Sequence, residues 1–258
     1  MVSNDKMAHY LSLKGKVVFI TGGGSGIGAS IVSAFCEQGA SVAFVDIAAE
    51  ASVALCERIA AAGFSKPAFR ACDIRDIPAL QNAMRELALE LGDFDVLVNN
   101  AANDQRHQIE DVTLDYWNDR IAINQRPLFF ACQAVFPGMQ RKGAGSIINL
   151  GSIGWHIASG GYPVYATSKA AVSGLTRGLA RDMGKHHIRV NTVTPGWVMT
   201  ERQTTLWLDA AGEEEIKRNQ CLPGKLMPDH IARMVLFLAA DDSAMCTAQE
   251  FTVDAGWT

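Results

Sequence analysis

The sequence Val17-Val-Phe-Ile-Thr21-Gly22-Gly-Gly-Ser25-Gly26-Ile27-Gly28 decides which fold this chain can adopt. It begins with an apolar run of strand length, continues with a glycine-rich turn, and ends where a helical pattern starts. Glycine permits unusual backbone dihedrals and lets a pyrophosphate approach the main chain, while N–H groups at the helix start point at the anion. We therefore predict that this loop binds a dinucleotide through Gly22, Ser25, Gly26, Ile27 and Gly28.

Outward from this loop, the chain alternates strand-length apolar runs with helix-length amphipathic segments. The predicted strands are 17–20, 41–45, 68–71, 96–98, 146–150, 188–193 and 250–253. The predicted helices are 27–38, 48–62, 76–91, 113–141, 164–185 and 229–240. Continuous apolar strands separated by helices indicate a parallel sheet that is covered on both faces.

We therefore expect an α/β fold over residues 1–258: a single-domain, Rossmann-type, doubly wound parallel sheet of seven strands with helices on both faces. The ligand crevice of such a sheet lies at the carboxyl ends of the strands. Residues 196–227 break the alternation and are rich in Trp, Thr, Glu and Gly. We expect this segment to be an insertion or a lid over the substrate.

Composition narrows the classes of partner. The formal charge is −4 and the basic residues are scattered, which argues against a nucleic-acid surface. The first fifteen residues lack the apolar core of a secretory signal, and no apolar stretch is long enough to span a bilayer. Six cysteines without metal-like spacing, and the adjacent His186 and His187, predict reduced thiols and no metal site. We expect a cytoplasmic protein that does not act at a membrane.

An acidic residue at the end of the second strand indicates which dinucleotide binds. Asp46 lies twenty residues past Gly26, where its carboxylate can accept hydrogen bonds from both ribose hydroxyls of an adenosine and would repel a 2′-phosphate. No Lys or Arg follows it, and Ser25 occupies a position where a basic residue could have offset that repulsion. The sequence thus predicts NAD as the cofactor, with Ile47 beside the adenosine.

Residues that follow the third and fourth strands fall on the rim of the same crevice. Asp73, followed by Ile74, can bind the adenine amino group or can cap the next helix, and the sequence leaves both roles open. Asn100, with Ala101 and Ala102, is expected to fix its loop and to face the cofactor.

Three groups suited to moving a proton on a hydroxyl lie in the second half of the chain. Tyr165 and Lys169 are four residues apart, so a helix places them on one face, and Ser152 precedes Tyr165 by thirteen residues. A free phenol has a pKa near ~10, and a neighbouring cation favours its anion. The sequence therefore predicts that Tyr165 serves as a base.

Taken together, these motifs resemble the short-chain dehydrogenase/reductase family over essentially the whole chain. The matching residues are the glycine loop Thr21–Gly28, Asn99-Asn-Ala-Ala102, Asn124, Ser152, Tyr165-x-x-x-Lys169, Pro195-Gly196 and Thr200. One departure is Ala102, where the family usually has glycine, and the methyl group there requires a negative φ.

The resemblance implies a catalytic tetrad of Asn124, Ser152, Tyr165 and Lys169. Tyr165 would exchange the substrate proton and Ser152 would orient the substrate oxygen. Lys169 would hold the nicotinamide ribose and lower the pKa of the phenol. Asn124 would kink its helix and anchor a water that links Lys169 to solvent. The family also implies that the carboxamide end of the cofactor is held by Pro195, Gly196, Val198 and Thr200.

The resemblance further implies a homotetramer that pairs through the helices near 113–141 and 164–185. The apolar pattern of those helices is equally that of ordinary buried helices, so the sequence alone does not separate the two. We expect Trp257, near the end of the chain, to serve subunit packing rather than substrate contact.

A narrower resemblance concerns the substrate. Asn103-Asp104-x-Arg106-His107, Gly151-Ser152-Ile-x-Trp155-His156, Gln220-Cys221-Leu222 and Asp254-Ala-Gly-Trp257 are similar to segments of bacterial D-xylose 1-dehydrogenases. This implies oxidation of an aldopentose, such as D-xylose or L-arabinose, at C1 to the lactone. A sugar ring needs hydrogen-bond partners and a flat apolar face, and the predicted substrate contacts are Asn103, Ser152, His156, Tyr165, Trp197 and Gln203.

Three alternatives stay open at this point. The first is oxidation of a secondary alcohol of another sugar, sugar acid or polyol by the same chemistry. The second is an acyl ketoreductase, which would be expected to prefer NADPH and to carry a basic patch near the crevice. The third is a non-catalytic dinucleotide-binding protein, against which the intact tetrad argues.

Overall fold

The computed structural model describes residues 8–258, and their central feature is one parallel β-sheet. Its strands are β1 (Val17–Thr21), β2 (Ser41–Asp46), β3 (Ala68–Ala71), β4 (Val96–Asn99), β5 (Gly145–Leu150), β6 (Ile188–Pro195) and β7 (Glu250–Val253). They lie in the order β3-β2-β1-β4-β5-β6-β7, and every pairing is parallel. The seven-stranded, doubly wound parallel sheet predicted from the sequence is confirmed.

Helices cover both faces of this sheet. They are α1 (Gly26–Glu37), α2 (Ala49–Ala61), α3 (Ile77–Leu91), α4 (Leu114–Asn124), α5 (Arg126–Lys142), α6 (Pro163–Met183), α7 (Glu201–Leu206), α8 (Ala210–Asn219) and α9 (Pro228–Ala239). Within the described residues, no helix is long and apolar enough to cross a bilayer.

The residues of β1 show why the chain must be covered on both sides. Val18 and Ile20 belong to a buried cluster with α1, α2 and α9, whereas Val17 and Phe19 belong to a second cluster with α3 and α5. Successive side chains of a strand point to opposite faces, so an uninterrupted apolar run needs helices on both.

One prediction about a helix was wrong. Residues 113–141 form two helices rather than one, because the backbone of Gln125 leaves the helical region at φ −131° and Pro127 opens the first turn of α5. Residues 196–227, the predicted insertion or lid, contain the two short helices α7 and α8, and Asp209 caps α8 by accepting a hydrogen bond from the Gly212 N–H at 2.8 Å.

The order of the strands reverses direction between β1 and β4. Loops that follow these two strands lead to opposite faces of the sheet and leave a crevice between them. Thr21 and Asn100 hold its two sides together: the Thr21 hydroxyl accepts from the Asn100 N–H at 3.0 Å, and the Asn100 amide donates to the Gly22 carbonyl at 2.8 Å.

Candidate active site

A cleft of about 980 Å³ opens at the carboxyl ends of the strands. Its lining includes every residue predicted to bind the cofactor: Gly22, Ser25, Gly26, Ile27, Gly28, Asp46, Ile47, Asp73, Ile74, Asn100, Ala101, Ala102, Tyr165, Lys169, Pro195, Gly196, Val198 and Thr200. Residues scattered over most of the chain therefore share one cavity, because each of them follows a strand or starts a helix at this edge.

The glycine loop forms a cradle that side chains would fill. Gly22 and Gly26 have φ of +69° and +53°, a region that residues with a Cβ rarely adopt. A Cβ on Gly28 would lie 1.8 Å from the Gly22 carbonyl oxygen. The start of α1 thus approaches the loop so closely that only glycine fits, and its free N–H groups face the cleft. These residues fit a dinucleotide pyrophosphate.

Asp46 is fixed by the main chain around it. Its Oδ2 accepts from the Gly24 N–H and its Oδ1 from the Ala48 N–H, each at 2.8 Å. An ionised carboxylate has about four acceptor sites, so each oxygen can still accept a further hydrogen bond. Asp46 therefore presents a rigid, negatively charged acceptor to the adenosine end of the cleft.

The structure decides one of the two roles left open for Asp73. The cap of α3 is Asp76, whose Oδ1 accepts from the Ala79 N–H at 3.0 Å. Asp73 instead faces the cleft and pairs with Arg75 at 2.6 Å. Hydrogen bonds from the Arg75 side chain, opposed by partial burial, lower the pKa of Asp73. Asp73 thus remains available to the adenine, and its role there stays a prediction.

Tyr165 and Lys169 lie one turn apart on α6, with the Lys169 ammonium 5.7 Å from the centre of the Tyr165 ring. Lys169 is buried and donates to the Leu150 carbonyl at 2.7 Å. Burial lowers its pKa to about 8, although the nearby Asp104 carboxylate acts in the opposite direction. The pair therefore has the spacing that the sequence predicts.

The pKa of Tyr165 departs from the expectation that Lys169 would lower it. Burial is the largest influence and raises the pKa, and the negative charge of Asp104 raises it further. A hydrogen bond with Ser152 lowers it but does not compensate. In this structure the phenol is consequently a weaker acid than a free tyrosine, and a further positive charge in the cleft is needed to bring its pKa down.

Ser152 and Asn124 are held by their own backbone contacts. The Ser152 hydroxyl accepts from the Gly154 N–H at 3.1 Å and lies in the cleft lining. Asn124 is buried at the end of α4, where its Oδ1 accepts from the Asn103 N–H at 2.7 Å and its amide donates to the Asn103 carbonyl at 3.0 Å. Asn124 thus fixes the loop after β4, while its predicted water link to Lys169 stays a prediction.

Ala102 meets the condition that its methyl group imposes. Non-glycine residues with positive φ in the described chain are Ala158, His187, Ala248 and Ala255, so Ala102 keeps an ordinary backbone conformation.

On the substrate side, Asn103, Ser152, Tyr165, Trp197 and Gln203 line the cleft as predicted. The Trp197 indole donates to the Gln203 side-chain oxygen at 3.0 Å, which orients both groups.

His156 does not reach the cleft lining, so the structure does not support its predicted contact with the substrate. Its ring stacks on Trp155, with centroids 3.7 Å apart, and its Nε2 lies 2.8 Å from the Glu250 carboxylate. This contact joins the segment after Ser152 to β7, and local sequence patterns do not predict it because the two residues are far apart in sequence.

Sequence reasoning missed several residues of the substrate side. Asp104, Arg106, Tyr162 and Trp257 all line the cleft. Trp257 is held there by Asp254, which accepts from the Gly256 and Thr258 N–H groups at 2.8 Å each. The acidic residue three positions before Trp257 was the available signal, since Asp side chains commonly accept from the N–H groups that follow them. Trp257, assigned to subunit packing above, is thus a candidate substrate contact.

Glu250 stabilises the elements that carry the site. It accepts from Thr194 at 2.5 Å on β6, from Ser173 at 2.8 Å on α6, and from His156. Burial alone raises the pKa of Glu250, but these three hydrogen bonds outweigh it and hold the pKa below its usual range.

Replacing Glu250 by Gln is expected to lower the free energy of unfolding by about 1–2 kcal/mol near neutral pH, because the charged hydrogen bonds are lost. A carboxylate whose pKa is lower in the folded protein than in the unfolded chain stabilises the fold at pH values above its unfolded pKa of about 4.3. This stabilisation is lost as the pH falls through the pKa of the folded protein. Urea unfolding should therefore show that wild type has a higher free energy of unfolding than Glu250→Gln near pH ~7, and that this difference disappears near pH ~3. Glu57→Gln, whose exposed partner is Lys66, is the control and should leave stability unchanged. An equal gap at both pH values would contradict this account.

No cluster of three or more His, Cys, Asp or Glu side chains that could hold a metal ion occurs within residues 8–258.

The fold, the glycine cradle and the positions of Ser152, Tyr165 and Lys169 in one cleft are the features to set beside known protein families. Residues 22–258 match the family described as "Enoyl-(Acyl carrier protein) reductase". With this extent of match and the near full-length relatives below, the chain belongs to the short-chain dehydrogenase/reductase family of oxidoreductases. This family implies a nicotinamide dinucleotide cofactor, which the cradle and the cleft fit.

Two relatives are similar over almost the full length. D-xylose 1-dehydrogenase of Caulobacter vibrioides is 48% identical over 250 residues, 97% of this chain and 98% of that protein. A probable galactose dehydrogenase of Rhizobium meliloti is 47% identical over 249 residues, 96% of this chain and 97% of that protein. Among solved structures, a 3-oxoacyl-(acyl-carrier protein) reductase of Brucella melitensis has a TM-score of 0.89 at 29% identity and covers 96% of this chain and 94% of its own.

Proposed function

We propose that this protein is an NAD-dependent sugar dehydrogenase that oxidises an aldose at C1 to the lactone, most favourably an aldopentose such as D-xylose or L-arabinose. The observation that carries the proposal is the composition of the cleft around Tyr165: amide and carboxylate acceptors beside the Trp197 indole. The near full-length similarity to a xylose and a galactose dehydrogenase supports it.

In the proposed reaction, oxidation removes a hydride from C1 and a proton from its hydroxyl group. Tyr165, in its phenolate form, takes the proton, and the Ser152 hydroxyl hydrogen-bonds the substrate oxygen and keeps it in line with Tyr165. The Lys169 ammonium, 5.7 Å from the centre of the Tyr165 ring, together with the positive charge of an oxidised nicotinamide, would stabilise the phenolate. A nicotinamide dinucleotide held in the cleft would supply the hydride acceptor. Residues 196–227, with α7 and α8, are proposed to act as the lid that excludes water.

An acyl reductase is the second candidate, since the solved relative and the family description name acyl substrates. Two features favour the sugar. Asn103, Asp104 and Gln203 line the substrate side, where their remaining acceptor sites suit the hydroxyl groups of a sugar and an acyl chain would leave those sites unused. Asp46 closes the ribose end with a negative charge, which disfavours the 2′-phosphate of NADPH. Oxidation of another hydroxyl of a sugar, sugar acid or polyol stays the close alternative.

A substrate panel tests this proposal directly. Purified protein would be assayed by the absorbance of the reduced cofactor with aldoses, polyols, sugar acids and acyl thioesters, each with both cofactors. We expect the highest kcat/KM with an aldopentose or aldohexose and NAD, and a lactone as the first product by NMR. Turnover confined to acyl thioesters would reject the sugar assignment.

The role given to Asp46 predicts a change in cofactor preference. Replacing Asp46 by Asn should lower the NAD-to-NADP ratio of kcat/KM by roughly 100-fold, because charge repulsion disappears and charged hydrogen bonds to the ribose weaken. Asp76→Asn removes the same charge at the cap of α3, outside the cleft lining, and should leave the ratio unchanged. An unchanged ratio in Asp46→Asn, with an unchanged melting temperature, would remove Asp46 from cofactor selection.

A homotetramer remains a proposal that rests on the family resemblance. Several large apolar side chains near α4 and α5 are exposed in one chain, among them Leu114, Trp117 and Phe129. Burial of such groups against a second copy would account for their exposure.

A further inference from the structure

A carboxylate on the substrate side of the cleft has no part in the tetrad. Asp104 follows Asn103, lines the cleft and is about one-quarter exposed, at 26% of its side chain. Its Oδ1 accepts from the Arg202 Nε at 3.0 Å, and its Oδ2 accepts from the Gln203 amide. Both donors belong to α7, so the lid holds this carboxylate in place above the cleft.

The charge of Asp104 acts on the reacting centre. It raises the pKa of both Tyr165 and Lys169, in the first case adding to the effect of burial and in the second opposing it. Asp104 also lines the same cleft as Tyr165 and Lys169. Each of its oxygens keeps a free acceptor site after the contacts with Arg202 and Gln203.

These contacts suit a neutral substrate rich in hydroxyl groups. Hydroxyls can donate to the free sites of the Asp104 carboxylate, whereas a carboxylate or phosphate on the substrate would meet a like charge within the same cleft. Other charged residues of the cleft lining near Asp104 include Arg106, Arg120, Arg202, Glu201 and Glu215, and Arg120 is paired with Asp119. Arg202 is paired with Asp104, and the guanidinium of Arg106 lies over the Trp207 ring at 4.7 Å.

We propose that Asp104 is a specificity-determining residue that accepts hydrogen bonds from the hydroxyls of a neutral sugar and excludes anionic sugars such as sugar acids and sugar phosphates. This inference rests on the proposed function and deepens it. The charge of Asp104 favours oxidation of a neutral aldose over the close alternative, oxidation of a sugar acid.

The test compares D-galactose with D-galacturonate, which share a ring and differ by a carboxylate. Wild-type protein is expected to favour the neutral sugar by at least roughly 100-fold in kcat/KM. Asp104→Asn should narrow this ratio by at least tenfold. It should also shift the acidic limb of the pH profile of kcat/KM to lower pH, because loss of the anion lowers the pKa of Tyr165. A merely structural role would lower activity without moving that limb.

Two further variants make the test sharp. Arg202→Gln removes the cation that partly neutralises Asp104. It should therefore raise the preference for galactose over galacturonate and shift the acidic limb of the pH profile to higher pH, opposite to the effects of Asp104→Asn. This second variant keeps the proposal testable if Asp104→Asn folds poorly. Asp209→Asn is the matched control: it removes a lid carboxylate that caps α8 outside the cleft lining, and asparagine caps equally well. Neither readout should change.

The outcomes are distinguishable. A wild-type protein inactive with every neutral and acidic sugar would reject the proposed function, and this inference with it. An active wild type whose preference is unchanged in Asp104→Asn and Arg202→Gln would overturn the role of Asp104 alone. A wild type that prefers the uronate would overturn it as well, and Arg106→Gln would then be expected to abolish that preference.

Discussion

Replacing Tyr165 by Phe is expected to lower kcat/KM for the best sugar by about 10³- to 10⁴-fold, the contribution of a well-placed general base. The Tyr165 ring is half-buried at the cleft beside Lys169 and the hydroxyl of Ser152, and phenylalanine keeps the ring that packs there. Folding should therefore be unaffected, and cofactor affinity, followed by fluorescence of the reduced cofactor, should change little. Loss of turnover with retained binding assigns the effect to proton transfer.

The pH dependence gives this variant a second signature. Oxidation requires the phenolate, so wild-type kcat/KM should fall as the pH drops below the pKa of Tyr165. Burial raises that pKa, which places the optimum on the alkaline side of neutrality. The residual activity of Tyr165→Phe should lack this ascending limb.

Tyr116→Phe is the control for the Tyr165 variant. The Tyr116 hydroxyl contacts His107 at 2.9 Å, outside the cleft lining, so its loss should leave activity and the pH profile unchanged. Turnover of Tyr165→Phe within tenfold of wild type would mean that another group removes the proton, and the mechanism proposed for Tyr165 would fail.

The cofactor half of the site follows from local sequence patterns, which explains why it could be predicted. Loops that come directly after strands must meet at one edge of a parallel sheet, whatever the details of packing. Once β1, β2 and β4 are assigned, the positions of Gly22, Asp46 and Asn100 are therefore settled. The strands themselves are continuous apolar runs, which few other structures can bury.

The substrate half depends on contacts between distant segments. His156 stood beside Ser152 and had the right chemistry, but Glu250 draws it toward β7, and these two residues are 94 positions apart. Asp254 bends the end of the chain through local hydrogen bonds, but that this bend brings Trp257 into the cleft depends on how the end of the chain packs against the rest of the fold. Residue type alone could not distinguish these two outcomes.

For the charges around Tyr165, too, local sequence patterns predict one part of the site and the folded structure decides the other. The spacing of Tyr165 and Lys169 predicted their proximity correctly, but not the balance of forces on the phenol. The burial of Tyr165 depends on every element that packs around α6. The charge that raises its pKa belongs to Asp104, on a loop more than fifty residues earlier in the chain. The direction of a pKa shift is therefore a property of the folded site and cannot be read from a motif.

Replacing Gly28 by Ala is expected to have the largest effect on cofactor binding among single-methyl changes in the loop. The added Cβ would lie 1.8 Å from the Gly22 carbonyl oxygen and 2.7 Å from the Asn100 amide nitrogen. The start of α1 must then move away from the loop. We expect a loss of about 2–3 kcal/mol in the free energy of unfolding, which corresponds to a fall of roughly 5–10 °C in melting temperature.

The same displacement should weaken cofactor binding more than it weakens the fold. N–H groups at the start of a helix bind a pyrophosphate only when they point at it, so a shift of α1 should raise the dissociation constant of NAD at least tenfold, by roughly 1.4 kcal/mol or more. Titration calorimetry at a temperature where both proteins are folded measures this effect separately from stability.

Gly184→Ala is the matched control for Gly28→Ala. Gly184 has helical dihedrals at the end of α6, and a Cβ there meets nothing within 4 Å. Alanine restricts the unfolded chain more than glycine does, so this variant should be as stable as wild type or slightly more so, with unchanged NAD affinity. If Gly28→Ala behaved like Gly184→Ala in both measurements, the close approach of α1 to the loop would be dispensable, and the phosphate cradle would have to be sought elsewhere in the cleft.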